Sequence, residues 1–362
     1  MLQNETKMEP EKRIRAFIRL GSVLREVFGE KEGSFTPAET AKIKLLHKEA
    51  DEAVFYNAWF TKDFVYKALL ALGESMREEK LRKWLSAYNF AREVTFQPKT
   101  VGVVMAGNVP AVGFHDFLCV LMSGHRILAR LSSDDKKLLP AVAEALIAIE
   151  PGFSKYISFT EGQMKGFDAI IATGSNNTSR YFEYYFGKYP NIIRKNRNGV
   201  AVLTGNETEE QLKALATDVF LYYGLGCRNV AKLVVPENYV PEPLLKAFAE
   251  WKQVNENHKY FNNYEYNKAI FLVNGRTHFD TGNLLIVEDD KFASPVSVLH
   301  YEYYSGPVAL RNYLMVNSTL IQCVVSEADI LKNTVPMGKS QSPELWNYAD
   351  GVDTMAFLQR LQ

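Results

Sequence analysis

The chain has 362 residues, 47% of them hydrophobic and 23% charged, the balance of an ordinary globular protein. That length outgrows one simple core, so two domains are expected. Its 42 basic and 42 acidic side chains cancel, without the basic excess that nucleic-acid or anionic-membrane binding uses, and no nucleic-acid partner is expected.

Three cysteines occur, Cys119, Cys227 and Cys323. An odd number in a long chain argues against a disulfide framework and for a reducing compartment. No Cys-x-x-Cys and no Cys/His cluster has zinc-ligand spacing, so no metal is expected. The polar start of the chain lacks an apolar signal core, and no apolar run is long enough to span a bilayer. The expectation is a cytoplasmic protein without a membrane span.

Residues 11–92 read as helical. Thr36-Pro37-Ala38-Glu39 is a strong helix start, with a capping threonine, proline in the first turn and a glutamate placed to close the box. Phe55, Tyr56, Trp59, Phe60, Phe64 and Tyr66 recur at helical spacing, which assigns them to packing. From Val101 the pattern changes. Val101–Ala106 reads as a short strand, followed by the turn Gly107-Asn108-Val109-Pro110 and a helix near Gly113–Ser123. Ile127–Leu131 reads as a second strand, Ser132-Ser133-Asp134 as the cap of a helix near Lys136–Ile149, and Asp168–Ala172 as a third strand. Gly174-Ser175-Asn176-Asn177-Thr178 leads into a helix through Tyr185, and Val200–Leu203 is one more strand. Apolar strands without period-two patterning, alternating with helices, indicate a parallel sheet covered on both faces.

The alternation repeats after Thr208, with a helix near Pro243–Gln253 and strands near Ala269–Val273, Leu284–Ile286, Val296–Leu299 and Leu320–Val325. Asn255–Asn267, rich in Asn and Tyr, reads as an irregular loop. The expected organisation is a helical segment over 1–95, a doubly wound α/β domain over 96–206, a second α/β domain over 207–333, and a turn-rich tail over 334–362.

Thr208–Pro236 is the stretch most suggestive of chemistry. Thr208 and Gln211 form a capping-box start. Leu212, Leu215, Ala216, Val219, Phe220 and Tyr223 recur at helical spacing. Gly224 and Gly226 are expected to end the helix, Cys227 follows at once, and Val230–Val235 is a strand closed by Pro236. A thiol in a glycine-framed loop between packed elements is a candidate nucleophile; the alternative is a buried structural cysteine.

No dinucleotide fingerprint, P-loop, H-E-x-x-H or G-x-S-x-G is present. Four segments carry candidate roles. Asn108 follows the first strand, at the edge of a parallel sheet where ligands bind, and offers a side-chain donor there, unless it serves only the turn. Arg130 closes the second strand, poised for a ribose or phosphate or else snorkelling at an edge. Thr173-Gly174-Ser175 heads a helix, giving an anion site or plain N-capping. Cys227 is the fourth. Arg194, Lys195 and Arg197 are either phosphate contacts or a solvated turn, and His115 and His258 are candidate proton carriers by type only.

In this order and on these elements, the segments resemble the aldehyde dehydrogenase superfamily, and most closely its acyl-CoA reductase branch, the fatty-acid reductase component of bacterial bioluminescence and its relatives. Asn108-Val109-Pro110 is similar to the Asn-x-Pro after that superfamily's first strand, and Arg130-Leu131-Ser132 to its Lys-Pro-Ser segment. Thr173-Gly174-Ser175 is similar to its cofactor turn, Gly224-Leu225-Gly226-Cys227 to its nucleophile loop, and Phe292-Ala293-Ser294-Pro295-Val296 to a further conserved-type segment. Asn57-Ala58-Trp59-Phe60-Thr61 and the Gly-Asn-Val-Pro spelling look like the reductase branch in particular. The likeness runs from about residue 55 onward.

The resemblance implies an aldehyde dehydrogenase-like fold, with Cys227 as nucleophile and the Asn108 amide as oxyanion donor beside the Cys227 backbone N–H. It further implies Arg130, Ser132, Thr173, Gly174 and Ser175 as contacts to NADPH (or NADH). Coenzyme A would enter as part of a long-chain acyl-CoA substrate. It also implies a homo-oligomer, the tail at its contact, and an acyl-activating protein partner. One departure bears on the reaction. The superfamily's Glu-Leu-Gly-Gly stretch carries the base that activates hydrolytic water. Here the matching region is 194–203, and no Asp or Glu lies between Glu183 and Glu207. Without that base an acyl-enzyme hydrolyses slowly, which favours thioester reduction over acid formation. Cys227 also follows a helix C-terminus, where the dipole disfavours a thiolate, so Arg228, loop N–H groups or cofactor charge must stabilise it. A dehydrogenase acting on free aldehyde, a cysteine acyltransferase or thioesterase without nicotinamide, and a non-enzymatic binding protein stand as alternatives.

Overall fold

The computed structural model describes residues 7–29, 33–89, 97–174, 176–328 and 331–361. Its backbone contacts divide into two compact units, Met1–Lys195 with Glu344–Gln362, and Asn196–Pro343.

The first unit opens with five helices, α1 (Pro10–Phe28), α2 (Pro37–Asp51), α3 (Ala53–Tyr56), α4 (Lys62–Ser75) and α5 (Glu78–Leu85). Phe17, Leu20 and Leu24 form the fully buried stripe of α1, the helical spacing that drives such a face inward. The Thr36 box is present: its hydroxyl accepts from Glu39 N, and Glu39 accepts from Thr36 N at 2.7 Å. The sheet follows, as β1 (Thr100–Val104), α6 (Phe114–Met122), β2 (Arg126–Arg130), α7 (Leu138–Ile149), β3 (Ile157–Thr160), β4 (Ala169–Thr173), α8 (Asn176–Phe186) and β5 (Asn191–Arg194). The strand order is β3-β2-β1-β4-β5, every pairing parallel. Helix α7 starts at Leu138 with no side-chain cap from its own N-cap residue. In place of the expected Ser132-Ser133-Asp134 cap, the Asp135 carboxylate accepts from Leu138 N at 3.3 Å.

The second unit contains β6 (Asn198–Val202), α9 (Glu209–Phe220), β7 (Val230–Pro236), α10 (Glu242–Ala249), α11 (His258–Val273), β8 (Phe279–Asp280), β9 (Leu285–Glu288), β10 (Val298–Tyr304), α12 (Pro307–Val316) and β11 (Ile321–Val325). Its sheet runs β11-β6-β7-β10-β9-β8, parallel throughout except that β8 is antiparallel to β9.

Three expectations change. Strand β6, assigned from sequence to the first domain, pairs with β7 and β11 and opens the second unit; an apolar run does not say which sheet it joins. The expected loop 255–267 and the strand expected near 269–273 together form α11. Asn257 caps it, accepting from Lys259 N and Tyr260 N, while Tyr260, Tyr264, Asn267 and Phe271 line its buried face. That cap and that buried face override the weak propensity of Asn and Tyr. Strands β3 and β5 were missed because each is only four residues long.

The chain ends on α13 (Thr354–Gln359), in the first unit. Trp84 Nε1 donates to Tyr348 Oη at 2.6 Å, and Arg194 grips Asp116 bidentately at 2.5 and 2.8 Å while also donating to Thr354 Oγ1. His125 Nε2 lies 3.0 Å from Leu358 O. The sequence tail is thus divided, its residues 344–362 completing the first core with Leu345, Met355 and Leu358. Among the described residues no helix is long and apolar enough to cross a membrane, and no cluster of His, Cys, Asp or Glu has metal-holding geometry.

Candidate active site

In the first unit, β1 lies between β2 and β4. The chain runs outward from β1 through β2 to β3, then crosses back to β4 and β5. Ligands of open α/β sheets bind at such a reversal, outside the carboxyl ends of the strands. The structure brings the sequence candidates of this unit to that edge. Asn108 is exposed on the turn after β1, Arg130 is the exposed last residue of β2, and Thr173 ends β4 with Gly174 directly after it. Ser132 is half-buried in the next loop, its Oγ accepting from Asp134 N at 3.2 Å. Ser175 lies outside the described residues.

The turn after β1 is tightly held. A Cβ on Gly107 would sit 2.6 Å from the Ser132 side chain, so glycine is what lets the two loops touch. Asp135 accepts from Ala111 N at 2.7 Å as well as from Leu138 N, and burial pushes its carboxyl up to about 6. Asn57 Nδ2 reaches Asp134 O at 3.2 Å. Gly174 permits the first turn of α8 to fold back, since a Cβ there would be 2.9 Å from Phe182 and 3.0 Å from Thr178.

In the second unit, Thr208 and Gln211 form the predicted capping box of α9. The helix ends at Phe220, ahead of the glycines named from sequence. Three residues in a row then adopt left-handed backbone: Tyr222 at φ 54°, Tyr223 at φ 57° and Gly224 at φ 74°. For the two tyrosines this costs about 1–2 kcal/mol each. Both are buried, and Tyr223 packs on Tyr260 with ring centroids 5.7 Å apart, which offsets the strain.

Cys227 is exposed at the tip of the turn Gly226–Asn229, closed by Asn229 N donating to Gly226 O at 3.1 Å. Asn229 is 1% exposed and organises everything around the thiol. Its Oδ1 accepts from Gly226 N at 2.7 Å. Its Nδ2 donates to the carbonyls of Asp218, Val219 and Leu221 at 3.1, 3.3 and 2.9 Å. One amide thereby satisfies carbonyls left open where the helix ends and ties them to the turn. The side chain of Asp218, wholly buried, accepts from Gly338 N, Ser340 N and Ser340 Oγ at 2.6 to 2.9 Å. Burial pushes its carboxyl up while those donors pull the other way.

Other sequence candidates are occupied elsewhere. Arg194 is buried in its pair with Asp116, and Lys195 makes an exposed ion pair to Glu183; the phosphate-contact and solvated-turn readings both fail for Arg194. His115 Nε2 lies 2.9 Å from Leu345 O, and His258 is the exposed first residue of α11. Asn229, Asp218 and Asp135 were not singled out. Only Asp218 left a trace: it lies three residues after Leu215, an acid on an apolar stripe.

No family model and no curated protein matches the chain. Solved structures do. Aldehyde dehydrogenase 21 of Physcomitrella patens, in complex with the reaction product succinate, superposes with a TM-score of 0.59 at 12% identity, over 98% of this chain and 89% of that one. The aldehyde dehydrogenase KauB of Pseudomonas aeruginosa gives 0.59 at 12% identity, over 90% and 73%. The indole-3-acetaldehyde dehydrogenase AldA of P. syringae, in complex with NAD+ and IAA, gives 0.58 at 13% identity, over 90% and 74%. The fold is that of the aldehyde dehydrogenases, α/β with two parallel-sheet units and a helical N-terminal segment.

Proposed function

We propose that the chain is a nicotinamide-dependent oxidoreductase of the aldehyde group, and that its reaction is the reduction of a long-chain fatty acyl-CoA to the aldehyde through an acyl-Cys227 thioester. The observation that carries this reading is Cys227, exposed at the tip of a turn whose backbone Asn229 holds in place, in a chain with the aldehyde dehydrogenase fold. Two solved neighbours, both indole-3-acetaldehyde dehydrogenases, are NAD+ complexes.

The first unit suits a dinucleotide. The reversal edge offers the exposed guanidinium of Arg130, the Ser132 hydroxyl, and the Thr173-Gly174 turn leading into the N-terminus of α8, donors that match a pyrophosphate and ribose. When bound, the reduced nicotinamide supplies hydride. Cys227 as thiolate attacks the thioester carbonyl, and the bond to the coenzyme A sulfur breaks as the acyl group passes to Cys227. The Cys227 backbone N–H stabilises the oxyanion, a role the resemblance also gives to the amide of Asn108. After hydride addition the thiohemiacetal collapses, releasing aldehyde and the Cys227 thiolate.

Acyl-CoA, rather than free aldehyde, is favoured by the missing carboxylate before Glu207. Glu207 itself is committed to its own turn, accepting from Thr204 N, Thr204 Oγ1 and Gly205 N at 2.6 to 3.0 Å. The test is incubation with NADPH or NADH and acyl-CoAs of graded chain length. Aldehyde should form with consumption of the nicotinamide, and Cys227→Ala should abolish it. No consumption with any acyl-CoA, or full activity in the alanine variant, would overturn the reading.

A further inference from the structure

Cys323 lies on β11, in register with Gly199 of β6. A Cβ on Gly199 would be 2.7 Å from the carbonyl oxygens of both Arg228 and Asn229, so the turn carrying Cys227 rests on bare strand backbone. Across that gap Cys323 Sγ donates to Arg228 O at 3.8 Å. Arg228 directly follows Cys227, and trans-peptide geometry puts the Cys227 Cα within about 6 Å of that oxygen. The Cys323 sulfur is therefore no more than about 10 Å from the Cys227 Cα, and closing the bond, which holds the two sulfurs about 2 Å apart, draws the exposed turn and β11 together. The β11–β6 register shifts between Ile321 and Cys323, which gives β11 an irregularity at this point.

We propose that Cys227 and Cys323 form an oxidisable pair, in which hydrogen peroxide converts the two thiols into an intramolecular disulfide that caps Cys227. The two sulfurs differ in the way such a pair requires. Cys227 is exposed and meets the oxidant first. Burial pushes the Cys323 thiol up to about 11; Arg228 acts against this, and negative charge on Cys227 adds to it. Cys323 accordingly stays a protonated, sheltered thiol at neutral pH. Cys227 thiolate attacks one peroxide oxygen, the O–O bond breaks, and the product is the sulfenic acid with hydroxide. Cys323, giving up its proton, attacks the Cys227 sulfur, the S–O bond breaks, and water leaves. In sum two thiols and one peroxide give one disulfide and two waters. Nothing in this depends on the acyl chemistry.

The test treats the whole protein with a slight excess of hydrogen peroxide, alkylates remaining thiols, digests with trypsin without reductant and weighs the peptides. Residues 214–228 and 312–332 are tryptic peptides holding Cys227 and Cys323 respectively. The expected product is these two linked, two hydrogens lighter than their sum, and separated by dithiothreitol, with Cys119 still alkylatable after denaturation. Cys323→Ser should instead carry Cys227 on to sulfinic acid, which dithiothreitol does not reverse. Sulfinic acid at Cys227 of the unaltered chain with Cys323 still reduced, or a Cys227–Cys227 link between two chains, would overturn the proposal. The peptide measurement on the unaltered chain stands even if the serine variant does not fold.

Discussion

Replacing Asn229 by alanine should loosen the Cys227 loop in a measurable way. The side chain makes four hydrogen bonds, one accepted from Gly226 N and three donated to the carbonyls of Asp218, Val219 and Leu221. The amide has two N–H protons for the three carbonyls, so with about 1 kcal/mol net for each of the three protons engaged the loss is about 3 kcal/mol, and more if water cannot enter to replace the amide. For a domain of this size that lowers Tm by about 6–12 °C. The left-handed run at Tyr222, Tyr223 and Gly224 then loses the clamp that spans it. Asn229→Asp keeps the acceptor for Gly226 but turns a carboxylate toward three carbonyls, so it should be at least as damaging as alanine. The assays are chemical denaturation and the rate at which iodoacetamide alkylates Cys227. A variant within about 0.5 kcal/mol of the parent, the range of a neutral surface substitution, and with an unchanged alkylation rate would refute the role given to Asn229.

Two further expectations concern the first unit. Asp116→Asn leaves the buried Arg194 charge without its carboxylate, and denaturation should report a loss of about 3–5 kcal/mol; a loss below 1 kcal/mol would mean the pair is structurally idle. Burial holds His125 down at about 4, against 6.5 for the unfolded side chain. The unfolded state therefore binds more protons between those values, and stability falls as pH drops from 6.5 toward 4, by about 3 kcal/mol in total. His125→Gln should flatten that part of the pH profile of the urea midpoint; an unchanged slope would assign the acid sensitivity to other groups.

The parts of the fold legible in sequence were those set by local chemistry. The Thr36 and Thr208 capping boxes, the buried runs of β4 and β7, and the turn Gly107-Asn108-Val109-Pro110 each depend on residues close in the chain. What stayed hidden depends on partners far away. Nothing near Val200 says that its strand sits beside Val230 rather than in the earlier sheet. Nothing near His258 announces a helix, because α11 gains its stability from the face that Tyr260, Tyr264 and Phe271 bury. The candidate site divides in the same way. Cys227 and the loops at Asn108 and Gly174 carried glycine and proline signals. Asn229 did not, since a buried asparagine spells no motif until the carbonyls it serves are in place.

The division of the chain sets an order on synthesis. The second unit is an insertion, and the first is completed only by residues 344–362, which follow the second in the chain. Every residue of the second unit precedes these, so when its sequence is complete the first unit still lacks Tyr348, Leu358 and Thr354, which bond Trp84, His125 and Arg194. Until Tyr348, Thr354 and Leu358 emerge, the nascent chain exposes the surface of α6 that α13 will cover. The first unit, although begun earlier, is thus the later to have all its residues.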